Sequence, residues 1–117
     1  MTQVTIYHNP RCSKSRQTLA LLQENGVEPD IVEYLTNTPT QKRLDELLKA
    51  MGKEPLEIMR TKEARFKELG LSKTDQRPRK EWIRIMAENP MLIERPIVAK
   101  GKKAAMGRPP GDVLDIL

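Results

Sequence analysis

The sequence predicts an α/β fold: a βαβ unit, a helical insertion at about 40–90, then a ββα unit, with the strands in one mixed sheet. Two short β-branched runs, Val4-Thr5-Ile6-Tyr7 and Asp30–Tyr34, flank a helical stretch. Near the end, two more short apolar runs are joined by a lysine–glycine turn. Between these pairs, apolar residues recur at helical spacing.

Val4 to Tyr7 reads as a strand bounded by Asn9-Pro10. A helix begins near Cys12 and stops at Gly26, a residue suited to a left-handed C-terminal stop. Asp30 to Tyr34 is the second strand, and the crossover between the two is right-handed. Thr38-Pro39-Thr40-Gln41 holds an N-cap candidate and a proline suited to a helix start. Leu44, Leu47, Leu48 and Met51 then share one helix face, which Gly52 ends. Pro55 to Met59 is a short helical turn. Thr61 to Arg79 is weakly patterned, so only turns are expected there. Trp82, Ile85 and Met86 mark a further helix closed by Asn89-Pro90. Pro96 to Ala99 and Lys103 to Gly107 form a hairpin about Lys100-Gly101-Lys102. Pro109-Pro110 opens a last helix with Val113, Ile116 and Leu117 on one face.

The length, 117 residues, suits a single domain, 1–117. Such a chain buries roughly two-thirds of its unfolded surface and needs no metal or disulfide staple. No apolar run of about 18 residues is present, so no membrane partner is expected. The opening residues lack the basic and apolar regions of a secretory signal. A single cysteine, Cys12, excludes an internal disulfide and a cysteine-rich zinc site, and points to a reducing, cytoplasmic setting with no metal. The net charge of +5 favours anionic partners. Only 3% of residues are aromatic and no nucleic-acid motif is present, so no nucleic acid is expected.

Cys12 falls where a strand ends and a helix begins. Unpaired N–H groups and the helix dipole there stabilise a thiolate. Arg11, Lys14 and Arg16 add positive potential. These polar, basic flanks favour a reactive thiol over a small buried hydrophobe. Cys12-Ser-Lys-Ser15 has C-x-x-C spacing with serine in the second place, so a mixed disulfide needs an external thiol to resolve it. Ser15 could bond the thiolate or cap the helix. His8, the single histidine, could hold a proton near Cys12 or orient the loop. Pro96, at a strand start after Arg95, is a candidate cis proline. Arg60, Arg95 and Arg108 lie near the ends of predicted elements, where a guanidinium could grip an oxyanion, but position alone does not separate them from the other arginines. The basic clusters Lys100/Lys102/Lys103 and Arg77–Lys80 read as solvated surface.

Tyr7-His-Asn-Pro-Arg-Cys-Ser-Lys-Ser-Arg16 resembles the active-site segment of the glutaredoxin-coupled arsenate reductases. Ile58-Met-Arg60, Glu68–Leu71, Glu94–Val98 and Gly107-Arg-Pro109 match that family's later blocks in order. The resemblance implies a thioredoxin-like fold with a helical insertion. It implies that Cys12 attacks arsenate and forms a covalent adduct. Arg60, Arg95 and Arg108 would bind the oxyanion, His8 would correspond to the residue near the cysteine, and Pro96 would be the cis proline. Glutathione would serve as co-substrate and glutaredoxin as partner, with no bound cofactor. Arg11, Ser13 and Lys14 differ from the residues of the plasmid-type enzymes, and the chain stops soon after its last helix, so it resembles the shorter chromosomal members.

Two other functions are compatible with the same residues. One is a general glutathione-dependent thiol transferase. The other is a non-enzymatic RNA-polymerase-binding regulator, whose redox-switched members carry the second cysteine that Ser15 replaces.

Overall fold

The computed structural model describes residues 3–117. Contacts divide them into two compact units. The first runs to Asn37 and resumes at Arg95–Leu117; the second is Thr38–Glu94.

The first unit holds β1 (Val4–His8), α1 (Ser13–Glu24), β2 (Asp30–Glu33), β3 (Ile97–Lys100), β4 (Lys103–Met106) and a 3-10 helix over Pro110–Ile116. The sheet order is β2-β1-β3-β4. β1 runs parallel to β2, with His8 opposite Glu33, and antiparallel to β3, with Tyr7 opposite Ile97. This is the mixed sheet that the βαβ and hairpin signals predict.

Alternation along β1 sends Val4 and Ile6 to one face. There they pack with Leu22 of α1, Val98 of β3 and Val113 of the 3-10 helix, all buried. Each fully buried aliphatic side chain contributes about 1.5–3 kcal/mol relative to exposure. At the end of α1, Gly26 takes φ 77°, and the Val27 N–H then closes onto the Leu22 carbonyl at 2.9 Å. That turn brings Val27 back against the same core.

The second unit holds α2 (Gln41–Met51), a 3-10 turn (Pro55–Ile58), α3 (Ala64–Glu68), α4 (Arg79–Glu88) and a 3-10 turn (Pro90–Leu92). Thr40 caps α2, its hydroxyl accepting the Arg43 N–H at 3.1 Å. Leu44, Leu47 and Leu48 are buried from α2, and Trp82, Ile83, Ile85 and Met86 from α4. Phe66 of α3 stacks on Trp82 at 6.4 Å between ring centres, and Arg77 lies over the same indole.

Four local expectations need correction. Pro39 precedes the cap of α2 rather than opening the helix. α3 forms where only turns were expected, because five residues are too few to show a period. The last helix is 3-10 rather than α; it is only seven residues long and carries Gly111, a poor α-former, in its first turn. Leu117 lies off the buried face, 39% exposed, and of that trio Val113 alone is fully buried. Among the described residues, no helix is long and apolar enough to cross a membrane.

Candidate active site

β1 ends at His8, and the chain must turn before α1 can pack back on the sheet. The turn is Asn9–Cys12: the Cys12 N–H donates to the Asn9 carbonyl at 3.0 Å. The Asn9 side-chain oxygen accepts the Arg11 N–H at 3.0 Å and stiffens it. Cys12 is the N-cap of α1, with extended backbone, and its carbonyl accepts the Arg16 N–H at 3.0 Å. Its side chain stands where an N-cap oxygen would, facing the open N–H groups of the first turn.

The thiol is partly exposed. Burial pushes its pKa up, but the Ser15 N–H, the hydrogen bond and charge of Arg95, and the Lys14 N–H together hold it below the usual thiol range. Arg108 adds a longer contact, Nη2 donating to Sγ at 3.8 Å. Burial opposes the charge of Arg95, yet its bonds and charge interactions with Cys12 and Tyr34 raise its pKa further, so the guanidinium stays charged. One buried donor, Arg95 Nε, has no partner among the described residues. A thiol of lowered pKa beside two guanidiniums can attack the centre of an oxyanion while the guanidiniums hold its oxygens.

The supporting residues act through the loop. Ser15 Oγ lies 2.6 Å from His8 Nδ1 and accepts the Asn9 N–H at 3.0 Å. Its hydroxyl therefore ties the loop to the end of β1, while its backbone N–H serves Cys12. Burial lowers the pKa of His8; Glu33 opposes that shift and Arg16 adds to it. His8 is thus a neutral anchor for the loop at neutral pH. Arg16 donates to the Pro10 carbonyl at 3.0 Å, and the cation among the principal influences on the thiol is Arg95, distant in sequence.

The segments carrying Arg95 and Arg108 are fastened to each other. Arg108 Nε donates to the Arg95 carbonyl at 2.8 Å, and the Gly107 N–H to the Pro96 carbonyl at 2.9 Å. The Arg95–Pro96 and Arg108–Pro109 peptides are both cis. Gly107 passes so close to α1 that a Cβ there would lie 2.5 Å from Thr18 Oγ1 and 2.7 Å from Pro96 Cγ.

Cys12, Arg95, Arg108, His8, Ser15 and Pro96 thus all belong to the first unit. Arg60 belongs to the second, where its guanidinium pairs with Glu63 at 3.2 Å and Glu94 at 3.6 Å. Sequence reasoning did not single out Tyr34, Asn9, Thr18 or Gly107 as site residues. An aromatic residue directly after the β-branched run of β2 was the available signal for Tyr34.

The chain matches the ArsC family over residues 7–116. It is 51% identical over 116 residues to "Uncharacterized protein YfgD" of Escherichia coli K12, covering 98% of this chain and 97% of that protein. It is 45% identical over 115 residues to "Arsenate reductase" of Haemophilus influenzae, covering 97% and 98%. The structure superposes with a TM-score of 0.93 on "Arsenate reductase from Vibrio cholerae", 46% identical, covering 99% of this chain and 98% of that one. The architecture is thioredoxin-like α/β. With the match spanning nearly the whole sequence, the chain belongs to the ArsC family.

Proposed function

We propose that the protein reduces arsenate to arsenite through a covalent adduct on Cys12, with glutathione and glutaredoxin as the source of electrons. The observation that carries this reading is the Cys12 thiol, held toward its thiolate form at the start of α1 and contacted by Arg95 and Arg108. The names of the relatives support the substrate.

In the first step the Cys12 sulfur displaces one arsenate oxygen, which leaves as water, and an S–As(V) bond forms. Arg95 and Arg108 hold the remaining oxygens and offset their charge. In the second step a glutathione thiol attacks the Cys12 sulfur. The S–As electron pair stays on arsenic, which leaves as As(III) arsenite, and the two sulfurs form a mixed disulfide. A further thiol, from glutaredoxin or a second glutathione, takes the glutathionyl group and restores Cys12. The two electrons gained by arsenic come from the two thiols oxidised to the disulfide. The protein has a single cysteine, so the second thiol comes from outside the chain.

Intact-mass measurement after incubation with arsenate tests the first step: an adduct on the wild-type protein, none on Cys12→Ser. Arsenite should then be released once glutathione is added, and turnover should be faster with glutaredoxin also present. No adduct and no turnover with both reductants would exclude the arsenate reading. Efficient deglutathionylation without arsenate turnover would instead favour a general thiol transferase.

A further inference from the structure

The sheet order places β2 and β3 on either side of β1. Tyr34 follows the last residue of β2, whose Glu33 is level with His8. Arg95 lies two residues before β3, whose Ile97 is level with Tyr7. Both residues therefore stand at the edge of the sheet from which the Cys12 loop departs. Two strand spacings, roughly 10 Å, separate their main chains. A long arginine and a tyrosine ring together span that gap. The Arg95 side chain makes hydrogen bonds to both Cys12 and Tyr34. Tyr34 is only 1% exposed, so its hydroxyl is a fixed point rather than a mobile surface group.

We propose that Tyr34 is a positioning residue: its buried hydroxyl oxygen accepts an Arg95 N–H and holds that guanidinium against the Cys12 sulfur. A guanidinium only donates, so the tyrosine oxygen must be the acceptor. Arg95 is then held at both ends. Its carbonyl is bound by Arg108 and its guanidinium by Tyr34. Without the hydroxyl, the long side chain regains rotamers that leave the sulfur. The ring still fills its place in the core.

Tyr34→Phe tests this, because it removes one oxygen and keeps the ring. The rate of Cys12 alkylation by iodoacetamide, followed against pH, should shift its midpoint upward by about half a pH unit. Cys12 titrates here among Arg95, Arg108, the Lys14 and Ser15 N–H groups and the His8–Ser15 pair. In an Arg95→Met background the same substitution should leave the midpoint unchanged. An unmoved midpoint in Tyr34→Phe, or an equal shift in both backgrounds, overturns the proposal. Nitrogen-15 spectra of the wild-type Arg95 guanidinium provide a check without a variant. Slow rotation and an Overhauser contact to the Tyr34 ring are expected; a freely rotating guanidinium overturns the proposal as well. Arsenate KM should rise about three- to tenfold in Tyr34→Phe with kcat nearly unchanged. That measurement alone rests on the arsenate reading; the alkylation profile and spectra judge the positioning role by themselves.

Discussion

Arg108 bonds the main chain of Arg95 and touches the Cys12 sulfur with the same guanidinium, through Nε at 2.8 Å and Nη2 at 3.8 Å. A single planar group thus joins the segment carrying one cation to the nucleophile. Lysine cannot make both contacts, since its ammonium is one point at the end of a flexible stem. Arg108→Lys should raise arsenate KM about tenfold. The principal influences that lower the Cys12 pKa are the Ser15 N–H, Arg95, still held by Tyr34, and the Lys14 N–H, so the alkylation midpoint should barely move. Steady-state kinetics and alkylation on the same preparation check the contrast. A large midpoint shift with unchanged KM would contradict it.

The lowered Cys12 pKa has a consequence for stability. The folded protein releases the thiol proton at lower pH than the unfolded chain. The thiolate's contribution is therefore complete above the unfolded value, about pH 8.5. It is lost as pH falls through the folded midpoint. Relative to Cys12→Ser, wild-type stability should rise through that window and level off above it. Urea titrations of both proteins across the range measure the difference; a constant gap would contradict the assignment.

His8 acts in a separate window. Its lowered pKa, due first to burial, means that the unfolded chain takes up the proton more readily. Stability should decline as pH drops below about 6.5 and continue to decline until the folded His8 itself titrates. His8→Gln should flatten that part of the profile. Ser15→Ala should cost about 1–3 kcal/mol at neutral pH, because the buried Asn9 N–H loses its acceptor. Chemical denaturation of the two variants separates these effects.

Gly107 is a steric prediction. An added methyl would meet Thr18 Oγ1 at 2.5 Å and Pro96 Cγ at 2.7 Å, and Pro96 is a ring that yields little. Gly107→Ala should destabilise the protein by about 1–3 kcal/mol. Adding Thr18→Ala should recover part of that loss even though Thr18→Ala gives up its own bond to the Lys14 carbonyl. Simple additivity in thermal melts would show that the contact yields without strain.

The parts of the fold legible in the sequence are those written in neighbouring residues. The β-branched run at Val4, the leucine spacing of α2 and the lysine–glycine turn are all local signals. The position of Cys12 at the start of a helix was legible for the same reason. α3 was not, because five residues hold no period and Phe66 is explained by Trp82, far along the chain. At the site, the charged neighbours of Cys12 in sequence do not point to Arg95. Arg16 is occupied by the Pro10 carbonyl, while the principal cation is Arg95. Tyr34 and Gly107 were hidden because their partners are set by strand order and by the approach of α1, which no short window contains.

The middle position of β1 also orders the parts of the site by persistence. β1 and β3 each have a hydrogen-bonded neighbour on both sides, whereas β2 and β4 each have one and are four residues long. Amide exchange should therefore reach the two inner strands, β1 and β3, last and the two outer strands first. The nucleophile hangs from one of the two inner strands, which open late. Tyr34 and Arg108 follow the strands that open first. Partial fraying at either edge would loosen the grip on the sulfur while leaving the thiol loop attached, so tuning of the thiol is lost before its anchorage.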